Sequence, residues 1–276
     1  MSEYRSAAEV ARSSGRSEYR SAAEVARSNG RSVMAALGDS FSCGEGIGIR
    51  IRPERTWPAL LAVALDLELH NLAVPGARVR EVRTEQVPRA PRSRIATVMV
   101  GLNDIYRGSF DANRFDSELG ATVTGLQWRA EVVLLSRLTD PSRFLWVPKR
   151  FRRSVLERLD VANAAIDSVA TSSDRVVLLD LDEVPELHTR EAWAVDRVHP
   201  GERGHHAIAI AAADRFGLSI DLAALDDAPT SEGSGATRHA WWLVRHGTPY
   251  AVRKGHTFVR PIAEGLRRSE DLGRAG

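Results

Sequence analysis

Cysteine and lysine are almost missing from this 276-residue chain: Cys43 stands alone, and Lys149 and Lys254 are the lysines among 38 basic residues. A single cysteine forms no internal disulfide, so a packed core must hold the fold, and a reducing compartment is expected. The bias from lysine to arginine reads first as codon usage. Net charge is small, +2, which argues against a general nucleic-acid binder. No apolar run approaches the roughly 18 residues of a membrane helix, and the N-terminus lacks the apolar stretch of a signal peptide. A cytoplasmic location is therefore the expectation. What is present is 43% hydrophobic and 27% charged residues, enough for a sizeable core and against wholesale disorder.

Residues 2–16 recur as residues 17–31, differing at Ser14 and Asn29. The unit is too short for a solenoid. It reads as a duplicated helical segment peripheral to the fold, with Gly15 and Gly30 as helix ends. From residue 33 the pattern becomes regular. Short apolar runs at 33–37, 67–72, 95–100, 131–135 and 175–181 read as strands. Helical patterns at 54–66, 78–86, 111–126, 151–170 and 201–216 alternate with them, and the fourth carries Val155, Leu159, Ala162 and Ile166 on one face. Such alternation predicts an α/β fold, a five-stranded parallel sheet covered on both faces. Boundaries follow: a main domain over 32–225, a polar linker at 226–237 and an extension over 238–276. That extension carries seven basic residues against one acidic up to Arg268.

In open parallel sheets, chemistry gathers at the carboxyl ends of the strands. There the chain places Gly38, Asp39 and Ser40 after the first strand, Gly76 after the second and Gly101, Asn103 and Asp104 after the third. Asp196 and His199 follow the fifth. A serine hydroxyl is a weak nucleophile unless a base and hydrogen-bond donors stand close by. A glycine-rich turn after a strand can lift a hydroxyl to the sheet rim beside them. Each block alone has a plainer reading: a glycine turn, a turn-closing asparagine, a surface histidine with its neighbour. Four of them in order on one rim outweigh those readings.

Together the blocks resemble the SGNH/GDSL hydrolase family over roughly 33–219. The resemblance implies the flavodoxin-like three-layer α/β/α fold. It also implies a serine esterase working through an acyl-serine, without cofactor or metal, on the O-acyl or O-acetyl ester of a small molecule, carbohydrate or lipid. Ser40 would be the nucleophile, His199 its base and Asp196 the carboxylate that orients the imidazole. Ser40 and Gly76 N–H groups and the Asn103 amide would form the oxyanion hole. The five-residue elbow of α/β-hydrolases, Gly-x-Ser-x-Gly, is absent. An acyltransferase with the same residues and a non-catalytic interaction protein on the same scaffold are the alternatives; neither acyl length nor oligomeric state is legible.

The remaining conspicuous residues have quieter readings. Asp39 and Asp104 read as scaffolding, Asn71 as a turn residue and Cys43 as a buried filler. His205 and His206 lack the accompanying ligands of a metal site. Arg143, Phe144 and Trp146, between the fourth strand and the long helix, could overhang the site and bind substrate. Leu243 to Thr248 resembles the opening signature of histidine phosphatases, but the 28 residues after it are too few for that fold. Trp241, Trp242 and Leu243 are expected to pack the extension on the domain.

Overall fold

The computed structural model describes residues 32–46, 49–106, 110–140, 142–145 and 147–220, with Trp241 and Arg245. The duplicated segment, the linker and nearly all of the extension lie outside the described residues.

The centre of the molecule is a five-stranded parallel sheet. Its strands are β1 (Val33–Gly38), β4 (Glu68–Asn71), β5 (Ser93–Met99), β6 (Ala130–Arg137) and β7 (Val176–Asp180), in the order β4-β1-β5-β6-β7. Between β1 and β4 lies a two-residue-per-strand hairpin, β2 (Glu45–Gly46) with β3 (Ile49–Arg50). β5 is buried along its whole length, Ser93, Arg94 and Thr97 included, because helices cover it on both faces. β4 takes the edge and is mostly exposed, so it carries Glu68 and His70 where the inner strands carry valine and leucine.

The helices are α1 (Ser40–Cys43), α2 (Trp57–Ala64), α3 (Val79–Glu81), α4 (Leu102–Tyr106), α5 (Ala112–Gln127), α6 (Lys149–Thr171) and α7 (Glu202–Asp214). α2 packs with α7 and α5 with α6, and the two pairs cover the two faces of the sheet. The Asp111 side chain caps α5 by accepting the Arg114 N–H at 3.0 Å. α5 buries Phe115, Leu119, Thr122, Val123 and Leu126, and α6 buries Val155, Leu159, Ala162, Ile166 and Val169. Both sets follow the helical period.

All five strands and five helices anticipated from the pattern are present, with ends shifted by a few residues. Two helices are shorter than expected. Residues 54–66 divide into a 3₁₀ turn, Pro53–Arg55, and α2, because Pro58 belongs at a helix start. Residues 78–86 divide into α3 and a π turn, Val82–Gln86, then a 3₁₀ turn ending at Arg89. Pro88 supplies no N–H and disfavours helix at the residue before it. The hairpin, α1, α4 and the 3₁₀ turns between Leu181 and Ala192 carried no pattern.

Counting only the parallel strands, the sheet order is 2-1-3-4-5. The chain leaves β1 for β4 on one side and then for β5 on the other. The connections diverge between the carboxyl ends of β1 and β5, leaving a crevice there.

Candidate active site

Gly38 ends β1 with φ +141°, and a Cβ there would meet the Met99 carbonyl oxygen at 2.1 Å. Only glycine fits so close to β5. The next residue, Asp39, is buried and caps α1: its Oδ1 accepts the Phe41 N–H at 3.0 Å. Ser40 opens that helix, 8% exposed. Its N–H has no partner among the described residues.

His199 arrives from the far side of the sheet. After β7 the chain returns across the carboxyl ends through the 3₁₀ turns to α7, which packs on α2 beside β1. On this return Arg197 adopts φ +62°, and the chain curls around the Asp196 carboxylate. Asp196 Oδ1 accepts the N–H groups of Val198 and His199, each at 3.0 Å, and Oδ2 faces His199 Nδ1 at 2.5 Å. The other ring nitrogen, Nε2, lies 2.9 Å from Ser40 Oγ. Burial alone would lower the His199 pKa. The hydrogen bond and charge of Asp196, aided by the charge of Asp39, outweigh it and hold the pKa above its ordinary value.

Two further loops are tied to the serine loop. The loop after β4 is tied to β1 by Val74 N–H donating to the Gly38 carbonyl at 3.1 Å, and it places Gly76 at φ +80°. Asn103, on α4, donates its amide to Asp39 Oδ2 at 3.0 Å and to the Ala77 carbonyl at 3.1 Å. The asparagine thus bridges the serine loop and the glycine loop. Ser40, His199 and Asp196 are brought together, and Gly76 and Asn103 lie on loops joined to the serine loop.

Arg143 and Phe144 make contacts within the chain. Arg143 pairs with Asp182 at 3.2 Å, and Phe144 packs on Trp193, ring centroids 6.3 Å apart. Trp193 in turn meets the edge of Phe41, beside Ser40. Trp146 lies outside the described residues. Trp241, expected to pack on the domain, is 60% exposed, with Arg245 over its ring.

The residues read as scaffolding have partners to match. Asp104 Oδ2 accepts the Val79 N–H at 3.1 Å. Asn71 donates to the Ser42 carbonyl and accepts the Ala73 N–H. Burial pushes the Cys43 thiol up to about 11, so it stays protonated near neutrality and is a poor nucleophile. His205 Nδ1 accepts the Trp57 N–H at 3.2 Å, and burial, with the charges of His206 and His199, pushes its pKa down to about 3.

Two contributors escaped sequence reasoning. Gln86, fully buried, accepts the Gly38 N–H at 2.8 Å and donates to the Gly38 carbonyl at 2.9 Å. Nothing in a lone glutamine of a helical pattern signals that use. Gly46, in the hairpin, lies against the imidazole: a Cβ there would stand 2.6 Å from His199 Nδ1 and 2.8 Å from Cγ. The signal available was the run of glycines after the serine, Gly44, Gly46 and Gly48.

Among known proteins, the model of the GDSL-like lipase/acylhydrolase family matches residues 36–207. Solved structures with the same fold include LAE5, an alpha/beta hydrolase enzyme from the metagenome of Lake Arreo, Spain. It is 20% identical, with a TM-score of 0.52 over 67% of this chain and 95% of that one. Axe2, an acetylxylan esterase from Geobacillus stearothermophilus, is 19% identical, with a TM-score of 0.51 over 67% and 94%. TesA is 16% identical, with a TM-score of 0.53 over 67% and 97%. No curated protein matches the sequence.

Proposed function

Because the chain belongs to the GDSL-like lipase/acylhydrolase family, we propose that it is a serine esterase hydrolysing a carboxylic ester of a small molecule. Ser40 Oγ attacks the ester carbonyl while His199 Nε2 takes its proton. The alcohol leaves with that proton, and Ser40 keeps the acyl group. Water then gives a proton to His199, its oxygen attacks the acyl carbon, and Ser40 recovers its proton as the acid departs. Asp196 holds the ring in the tautomer that leaves Nε2 free to accept, and its charge stabilises the imidazolium.

The oxyanion is received by the N–H groups of Ser40 and Gly76 and the amide of Asn103. Both protons of that amide are engaged in the resting site. A full negative charge is a stronger acceptor than the neutral Ala77 carbonyl, since charge-assisted hydrogen bonds are about twice as strong. The amide therefore turns from Ala77 toward the substrate as charge develops, which favours the transition state over the ground state. A cytoplasmic site of action belongs to this reading, supported by the lone thiol; among the described residues no helix is long and apolar enough to cross a membrane.

The carrying observation is the 2.9 Å approach of His199 Nε2 to Ser40 Oγ. Turnover of 4-nitrophenyl acetate tests it. Ser40→Ala is expected to lose at least about 10³-fold in kcat, and mass spectrometry of the wild type should find the acyl group on Ser40. Equal rates in the two proteins would remove Ser40 from the mechanism. The base works as neutral imidazole. With its pKa held up, activity falls as pH drops, and the acid limb of kcat/KM lies above 6.5.

A further inference from the structure

Beside the candidate site, α3 and the start of α5 border an open cleft whose walls include Arg78, Arg80, Asp104, Asp111, Arg114 and Glu118. Its place follows from the chain. Arg78 lies two residues beyond Gly76, and Asp104 directly follows Asn103. Two extended residues span only about 7 Å, within reach of a short acyl group whose carbonyl sits on the Gly76 N–H. The leaving alcohol must lie at His199 Nε2 to be protonated. The Gly76 and Asn103 side is left for the acyl half of the ester, and Arg78 and Asp104 carry the chain from that side into the cleft wall.

The charges in the cleft are unevenly committed. Arg78 binds both carboxylate oxygens of Glu81, and Glu118 is paired with Arg83. Asp111 accepts a backbone N–H as the cap of α5. Arg80 and Arg114 meet no carboxylate among the described residues. They stand on two different helices and line one space. Burial pushes Asp104 up to about 7, against the Val79 N–H and the charge of Arg78, with Glu81 and Asp39 adding to the rise. It therefore offsets them only in part near neutrality. Two uncommitted arginines in a cleft shared with Asp111 and a half-protonated Asp104 suit one negative charge; a dianion such as phosphate would be repelled by the same carboxylates. Guanidinium is the side chain best matched to a carboxylate.

We propose that this cleft holds a carboxylate at the far end of the acyl group, so that the preferred substrates are hemiesters of short dicarboxylic acids. The proposal rests on the esterase reading above. Its test compares kcat/KM for 4-nitrophenyl hemisuccinate with that for 4-nitrophenyl butyrate, the neutral ester of equal chain length. The wild type should favour the hemisuccinate by about tenfold or more, one well-placed ion pair being enough for that. In Arg80→Gln/Arg114→Gln the ratio should fall to about one or below. A wild-type ratio at or under one, or a ratio that survives in the double variant, overturns the proposal. Calorimetry of succinate binding to Ser40→Ala, with and without the two arginine substitutions, reads the cleft without any turnover. Binding lost with the arginines supports the carboxylate site; no binding, or equal binding, rejects it. If the wild type turns over neither ester, the esterase reading fails, while the calorimetry still decides the cleft.

Discussion

The imidazole of His199 is held on three sides: by Asp196 at Nδ1, by Ser40 at Nε2 and by Gly46 against the ring. The first two contacts are chemical; the third is steric, and it works because the residue has no side chain. A methyl group at position 46 cannot stand 2.6 Å from a ring nitrogen, so the ring or the hairpin must move. A displacement of about 1 Å at a reacting group can cost about 10²-fold. Gly46→Ala is therefore expected to lower kcat by roughly that factor while circular dichroism and the melting temperature change little. Gly120→Ala is the control: nothing lies within 4 Å of the methyl group it adds, and it should keep wild-type turnover. Equal kcat in Gly46→Ala would show that the ring tolerates the crowding and that the hairpin does not position it.

Among the elements, short side-chain bridges fix the loops on which the site stands. The Gln86 amide engages both polar groups of Gly38 at the end of β1. Asn163 does the same for Leu138 after β6, with two bonds of 2.9 Å. Each strand end thereby acquires a partner that the sheet itself does not supply. Leaving such buried groups unsatisfied costs about 1–3 kcal/mol each, so each amide fixes the strand end that it binds. The tie between α3 and α4 is weaker. Asp104 accepts the Val79 N–H there while burial, the largest influence, raises its pKa from 3.8 to about 7. The fold therefore favours the protonated form. The contribution of Asp104 to stability is whole below pH 3.8 and is lost as pH rises through about 7. Asp104→Asn keeps an acceptor for Val79 and carries no charge at any pH. Thermal unfolding of this variant should match the wild type near pH 4 and exceed it by a few degrees at pH 8, about 1 kcal/mol being worth roughly 2–4 °C at this size. A variant less stable than the wild type at pH 8 would mean that the ionised carboxylate is well accommodated.

Taken whole, the molecule gathers its site from both edges of the sheet. The crevice between β1 and β5 exists because the chain reverses its winding there, and Ser40 and Asn103 follow those two strands directly. The base comes from beyond β7, three strands away from β1, and reaches Ser40 because α7 packs back on α2. Everything this requires lies between residues 32 and 220. A chain of residues 32–225 should therefore fold cooperatively and hydrolyse 4-nitrophenyl acetate within about twofold of the full-length rate. Loss of cooperative unfolding in that shorter chain would show that the remaining segments belong to the core.

Period and composition alone determined the alternation of strands and helices, because burial on two faces demands apolar runs and burial on one face demands a helical stripe. They also placed Ser40, Gly76, Asn103, Asp196 and His199 at strand ends, since turn-forming and chemically active residues interrupt those runs visibly. Tertiary structure alone decided that the imidazole turns its Nε2 to Ser40, that Gln86 clasps Gly38, that Gly46 leaves room for the ring and that two arginines of separate helices line one cleft. Each is a contact between residues dozens to more than a hundred positions apart. Local patterns record what a residue does to its own backbone; they do not record which distant surface it will meet.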